Sequence, residues 1–184
     1  RPEEADKAFV GQVHRLTRQL DADPYTDCFW GILTGYDAAN ALWIAKRTEP
    51  LTIRRVAAGT EFATEMVEEG AWYCELNQGK MVKKELGKEA AEQRAPSDTT
   101  QALVQTLNDG RADLFITSGH ATERDWQIGY RYANGSFRSA DGQLFGLDTR
   151  GQRFPIGSPN PKVYLPIGNC LMGNIDRRDC MALA

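Results

Sequence analysis

Two stretches of this chain end an apolar run in glycine and then present a reactive side chain, and that pairing narrows the possible folds more than any other feature. In Ala112–Trp126, the run Leu114, Phe115 and Ile116 follows Asp113 and leads through Thr117-Ser118-Gly119 to His120, one of two histidines. In the second stretch, Lys162-Val163-Tyr164-Leu165-Pro166-Ile167 leads to Gly168-Asn169-Cys170-Leu171-Met172-Gly173. A short apolar run bounded by turn residues predicts a buried strand that opens onto a loop. In open α/β sheets, ligands bind outside the carboxyl ends of the strands. A histidine and a cysteine delivered there make a base and a nucleophile. Pro166 cannot donate to a ladder, so it is compatible only with the end of its strand.

The chain has 184 residues, which is enough for one domain with a core of its own. Hydrophobic residues make up 41%, charged residues 26% and the formal net charge is −3, so nothing points to a nucleic-acid partner. No apolar run approaches the length of a membrane span. The sequence begins without Met and stops at Met181-Ala182-Leu183-Ala184, inside an expected helix, which reads as residues 1–184 of one domain truncated at one or both ends. Compartment and assembly state are left open. The four cysteines form no C-x-x-C pair and have no spaced histidine partner, so structural zinc is not expected; no cofactor is expected either. Cys170 reads as a loop thiol and Cys180 as an apolar helix residue; disulfide pairing stays open.

Along the rest of the chain, Phe9, Val13, Leu16 and Leu20 recur at helical spacing, predicting a helix over 2–20, with His14 on its solvated face. Asp27–Leu33 (DCFWGIL) predicts a strand, and Asp37 an N-cap for a helix that ends before Thr48-Glu49-Pro50. Leu51–Gly59 predicts the next strand, although Arg54-Arg55 fits poorly in a fully buried one. Thr60–Glu69 predicts a short helix ending at Gly70, with Glu61 in its first turn. Trp72–Leu86 predicts a hairpin around Asn77-Gln78-Gly79, with a helix as its rival, and Gly87–Pro96 a charged loop or frayed helix. Asp98 with Gln101 resembles a capping box for a helix over Thr99–Asp109, stopped by Gly110. The excursion Gln127–Pro161, punctuated by Asn134-Gly135, Asp141-Gly142 and Arg150-Gly151, is hairpin material, either rim decoration or a wall of a cleft. Alternating helices and strands favour an α/β class with a mostly parallel sheet and helices on both faces.

At the two reactive loops the sequence resembles a known family. Ser118-Gly119-His120-Ala121-Thr122-Glu123-Arg124-Asp125-Trp126 is similar to the Gly-His-Gly-Ser-Glu-x-x-Trp segment of the gingipain family of cysteine peptidases, which have a caspase-like fold. Cys170-Leu171-Met172-Gly173 is similar to their Cys-x-x-Gly segment, Asp179–Ala184 to the start of the helix after it, and Phe29-Trp30-Gly31-Ile32-Leu33 to an earlier strand. Fifty residues separate His120 from Cys170, a spacing comparable to that of caspases. The resemblance implies a three-layer α/β/α caspase-like sandwich, with the hairpin excursion before the last strand. It implies Cys170 as nucleophile, His120 as general base and acid, and the backbone N–H groups of Ala121 and Cys170 as the oxyanion hole. Glu61 would take the place of the acidic residue that orients the histidine. Gly119, Trp126, Gly168 and Asn169, on the same loops, are candidates for substrate contact.

Ala121 stands where the family carries glycine, and Asn169 where a small residue is usual before the cysteine. No residue matches the acidic group behind the arginine preference of some gingipains, so that preference is not implied. The expected activity is cysteine-type endopeptidase action on a peptide or protein, through an acyl-enzyme. A sorting transpeptidase on the same fold, a non-catalytic caspase-like binding module, and an α/β domain with an incidental His and Cys are the alternatives.

Overall fold

The computed structural model describes residues 7–58, 69–77, 80–86, 93–128 and 134–184. Its centre is a six-stranded sheet in the order β10-β5-β1-β2-β3-β4. The strands are β1 (Arg55–Ala58), β2 (Glu69–Asn77), β3 (Lys80–Leu86), β4 (Gln93–Arg94), β5 (Leu114–Ser118) and β10 (Val163–Ile167). The pairs β10–β5, β5–β1 and β1–β2 are parallel; β3 and β4 add on antiparallel. Between β5 and β10 the excursion folds into its own antiparallel sheet of β6 (Asp125–Gln127), β7 (Ser136–Ala140), β8 (Gln143–Leu147) and β9 (Arg153–Pro155). The mixed α/β class and the mainly parallel order of the principal strands therefore follow the sequence pattern.

Pairing phase explains why β10 tolerates its proline. Val163 N–H donates to the Asp113 carbonyl, 2.9 Å away. Alternation along the strand then turns the nitrogen of Pro166, three residues on, toward the open edge, where a missing N–H costs no ladder bond. The same register aligns Ala57, Phe115 and Tyr164 across β1, β5 and β10. These three residues face the core, where Phe115 stacks on Tyr164 at 5.5 Å and on Phe137 of β7 at 5.4 Å.

Helix α3 (Thr100–Asn108) sets Leu103, Val104 and Leu107 into that core. Thr99 is its N-cap without a side-chain cap bond, Asp98 Oδ1 just before it accepts the Thr100 N–H, and the chain leaves the helix at Gly110 with φ +66°. The other Asp98 oxygen accepts from Thr149 N–H at 2.7 Å rather than serving a reciprocal capping box. Helix α2 (Ala38–Ala45) starts where Asp37 caps Asn40 N–H at 2.8 Å. The β7–β8 hairpin turns on Asp141 (φ 51°) and Gly142 (φ 71°), the two left-handed residues of a type I′ turn.

Several expectations are corrected. Asp27–Leu33 forms no strand: Asp27 bends back on the preceding segment, its N–H donating to the Thr17 carbonyl at 2.7 Å, the rest finds no ladder partner among the described residues, and Phe29 is fully exposed. The Leu51–Gly59 strand shortens to Arg55–Ala58. Glu69 and Gly70 belong to β2 rather than to a helix end, and the rest of the Thr60–Glu69 helix lies outside the described residues, Glu61 with it. The Trp72–Leu86 hairpin is present as β2 and β3, and its rival helix is not. Helix α1 (Lys7–Leu16) ends before the expected Leu20, and residues 1–6 of the expected helix lie outside the described residues. Met181–Leu183 is one 3₁₀ turn. Among the described residues, helices do not cover both faces: α2 buries none of its residues, and Val163, Leu165 and Ile167 leave the face of β10 opposite the core exposed.

At the amino ends of β1 and β5, Asp113 explains the awkward arginine pair. Its carboxylate accepts from the N–H groups of Arg54 and Arg55 and, at 2.7 Å, from the Arg55 guanidinium. That side-chain bond, against the opposing effect of burial, pulls the Asp113 pKa from 3.8 to about 2. A carboxyl lowered on folding stabilises above its unfolded value and loses that contribution as pH falls through the folded one. The window is therefore 3.8 down to about 2. Arg55 is partly exposed, so water screens the pair; Asp113→Asn should cost about 1 kcal/mol at neutral pH. Unfolding curves should show the wild-type advantage vanishing across that window, and an advantage that persists below pH 2 would rule the pair out.

Candidate active site

The two reactive loops leave the carboxyl ends of adjacent strands. In the parallel pair β5–β10, Ile167 lies opposite Ser118, the last residues of both. Neighbouring strands run about 4.8 Å apart, and His120 and Cys170 follow two and three residues later. Both side chains are exposed. A glycine in the left-handed region breaks each strand, Gly119 at φ 120° and Gly168 at φ 71°. A side chain would be strained at either position, which is why both runs end in glycine.

The His120 loop is a tight hairpin. Gln127 N–H donates to the His120 carbonyl at 3.0 Å and Thr122 N–H to the Asp125 carbonyl at 2.9 Å, flanking an isolated bridge between Ala121 and Trp126. That bridging pattern leaves the Ala121 N–H outside the ladder. Its methyl packs against the core, so the residue that replaces glycine is accommodated from within. Among the described residues, neither the Ala121 N–H nor the Cys170 N–H has a hydrogen-bond partner, and neither does the His120 ring. Glu61, expected to orient that ring, lies outside the described residues.

Two of the four expected substrate contacts are corrected. Trp126 has no exposed surface; its indole N–H donates to the Ser118 carbonyl at 2.9 Å, and its ring meets Phe115 and Phe137 edge-on. Burial in the aromatic core leaves it nothing to offer a ligand. The Asn169 side chain also turns inward. The amide orientation that gives both ends a partner has Nδ2 donating to Thr117 Oγ1 at 3.0 Å and to the Thr117 carbonyl at 2.9 Å, while Oδ1 accepts from the Trp126 indole at 3.2 Å. Thr117 Oγ1 also bonds the Tyr164 hydroxyl at 2.9 Å. Burial pushes that phenol up to about 12, so it stays a neutral partner. Gly119 and Gly168 stand at the loop bases beside the exposed pair.

Downstream, the Cys170 turn is pinned by Met172, buried in the core, whose carbonyl accepts the Cys180 thiol at 2.9 Å. Burial raises the Cys180 pKa, which keeps the thiol protonated and donating. Cys180 is therefore a buried structural residue of a turn rather than of a helix. Cys28, expected inside a strand, is exposed. The signal that sequence reasoning missed is the polarity of Asn169 beside a buried Thr117: a half-buried amide turned toward the core needs partners, and partners bind loops together.

Among the described residues no cluster of three or more His, Cys, Asp or Glu side chains could hold a metal ion, and no helix is long and apolar enough to cross a membrane. Compared with known proteins, the chain matches no family model, no curated protein and no solved structure.

Proposed function

We propose that this chain is a cysteine-type peptidase domain of the gingipain kind, built on a caspase-like parallel sheet. The observation that carries this reading is the parallel pairing of β5 with β10, in register up to Ser118 and Ile167, with an exposed histidine and an exposed cysteine just beyond. In the proposed reaction the Cys170 thiol gives its proton to a ring nitrogen of His120, and Sγ bonds the scissile carbonyl carbon. The oxyanion accepts from the N–H groups of Ala121 and Cys170, both of which have no other partner among the described residues. Collapse breaks the C–N bond, and the leaving amine takes the proton from His120. His120 then deprotonates a water that attacks the thioester, releasing the acid and restoring the thiol. Glu61 would orient His120.

Brief alkylation with iodoacetamide, read by peptide mass mapping, tests the pair directly. Cys28 is exposed as well, so it serves as the internal control. Cys170 should label at least about tenfold more slowly in His120→Ala than in the wild type, with Cys28 unchanged. Equal Cys170 rates in the two proteins would leave His120 and Cys170 as unrelated surface residues.

A further inference from the structure

We propose that Asn169 is a positioning residue that sets Cys170 against His120, and that it acts through the strand and the tryptophan holding the histidine loop. This rests on the peptidase reading above and deepens it. The Asn169 amide reaches both ends of the hairpin that carries His120. Nδ2 is bonded twice to Thr117, on the strand entering the hairpin, and Oδ1 accepts from Trp126, on the strand leaving it. Trp126 in turn bonds the Ser118 carbonyl, so one amide and one indole tie the entry, the exit and the cysteine loop into one unit.

Cys170 is the next residue after this anchor, and its own side chain is left in solvent. On its other side, Leu171 adopts φ 59° although it is not glycine, and its carbonyl accepts from Asn174 N–H at 3.0 Å. A β-carbon in the left-handed region is unfavourable, so the turn keeps this shape only because both flanks are fixed: Asn169 is bonded to Thr117 and Trp126, and Met172 is buried in the core. The thiol therefore projects from a two-residue arch whose feet are immobile. Shifting the Asn169 foot moves Sγ relative to the histidine loop without removing either reacting group.

Serine supplies one short hydroxyl where asparagine spans three partners, so Asn169→Ser should cut kcat for peptide hydrolysis about 100-fold, the cost of a misplacement near 1 Å. KM should stay within about threefold, since the substrate-facing groups remain. The roughly tenfold excess of Cys170 alkylation over His120→Ala should fall toward one, with Cys28 labelling unchanged. Thr117→Val removes the hydroxyl's contacts to Asn169 and Tyr164 and keeps the carbonyl one; it is the milder variant for Asn169 should the serine protein fail to fold, and it should lower kcat about tenfold. A purely structural Asn169 would lower the unfolding temperature while leaving kcat, the pH profile and Cys170 labelling of the folded fraction at wild-type values, and that result overturns the proposal. Wild-type protein whose Cys170 labelling ignores His120 would instead overturn the peptidase reading, and the positioning role with it.

Discussion

Cys170→Ala should abolish peptide-bond hydrolysis and leave thermal unfolding almost where it was. The loss in turnover should reach at least about 10³-fold, because without Sγ no acyl-enzyme forms and only whatever donors surround the carbonyl remain. Stability should change by less than about 0.5 kcal/mol, since the side chain is exposed and packs against nothing in the core. Cys180→Ala makes the opposite case. That thiol is buried and bonded to the Met172 carbonyl, so its loss should destabilise the protein far more than the loss of Cys170 does. Hydrolysis of a peptide substrate, followed alongside chemical denaturation, separates the two. Turnover that survives Cys170→Ala would remove the nucleophile from the mechanism.

The parts of this arrangement that were legible in the sequence are those decided locally. Gly119 and Gly168 mark where strands must stop because the backbone there takes a positive φ, and Asp141-Gly142 marks a tight hairpin for the same reason. Asp37 caps its helix with an atom on its own side chain, a relation visible at a distance of three residues. The parts that were misread depend on partners far along the chain. Asp27–Leu33 has the composition of a strand, yet nothing in its own residues supplies a neighbouring strand, and among the described residues it finds none. Trp126 reads as a loop aromatic facing a cleft until Phe115 and Phe137 are seen around it. Asn169 reads as an irregularity before a cysteine until Thr117, fifty-two residues away in sequence, is seen to hold it. The arginine pair at the start of β1 likewise makes sense only with Asp113, fifty-nine and fifty-eight residues on.

Trp126→Ala should cost about 3–5 kcal/mol of stability, the largest expected loss for any single substitution considered in this chain. The indole is completely buried and meets Phe115 at 6.0 Å and Phe137 at 5.3 Å, both edge-on, so its removal opens a cavity at the junction of the two sheets. Trp126→Phe isolates the other half of its role. Phenylalanine refills most of the volume but carries no N–H, leaving the Ser118 carbonyl and the Asn169 oxygen without their donor. Ser118 and Asn169 are only half-buried, so their unmet acceptors stay below the full cost of about 1–3 kcal/mol apiece, and Trp126→Phe should lose less stability than Trp126→Ala. Activity should rank the two contributions differently. Because one of the lost bonds, from the indole to Asn169, joins the Cys170 loop to the His120 loop, Trp126→Phe should lower kcat by about tenfold in protein that is still fully folded. Denaturant unfolding of both variants, with turnover measured well below the midpoint, checks the pair of expectations. A loss below about 1 kcal/mol for Trp126→Ala would mean that the aromatic cluster does not join the two sheets. Wild-type kcat in folded Trp126→Phe would mean that the indole N–H plays no part in holding the loops in register.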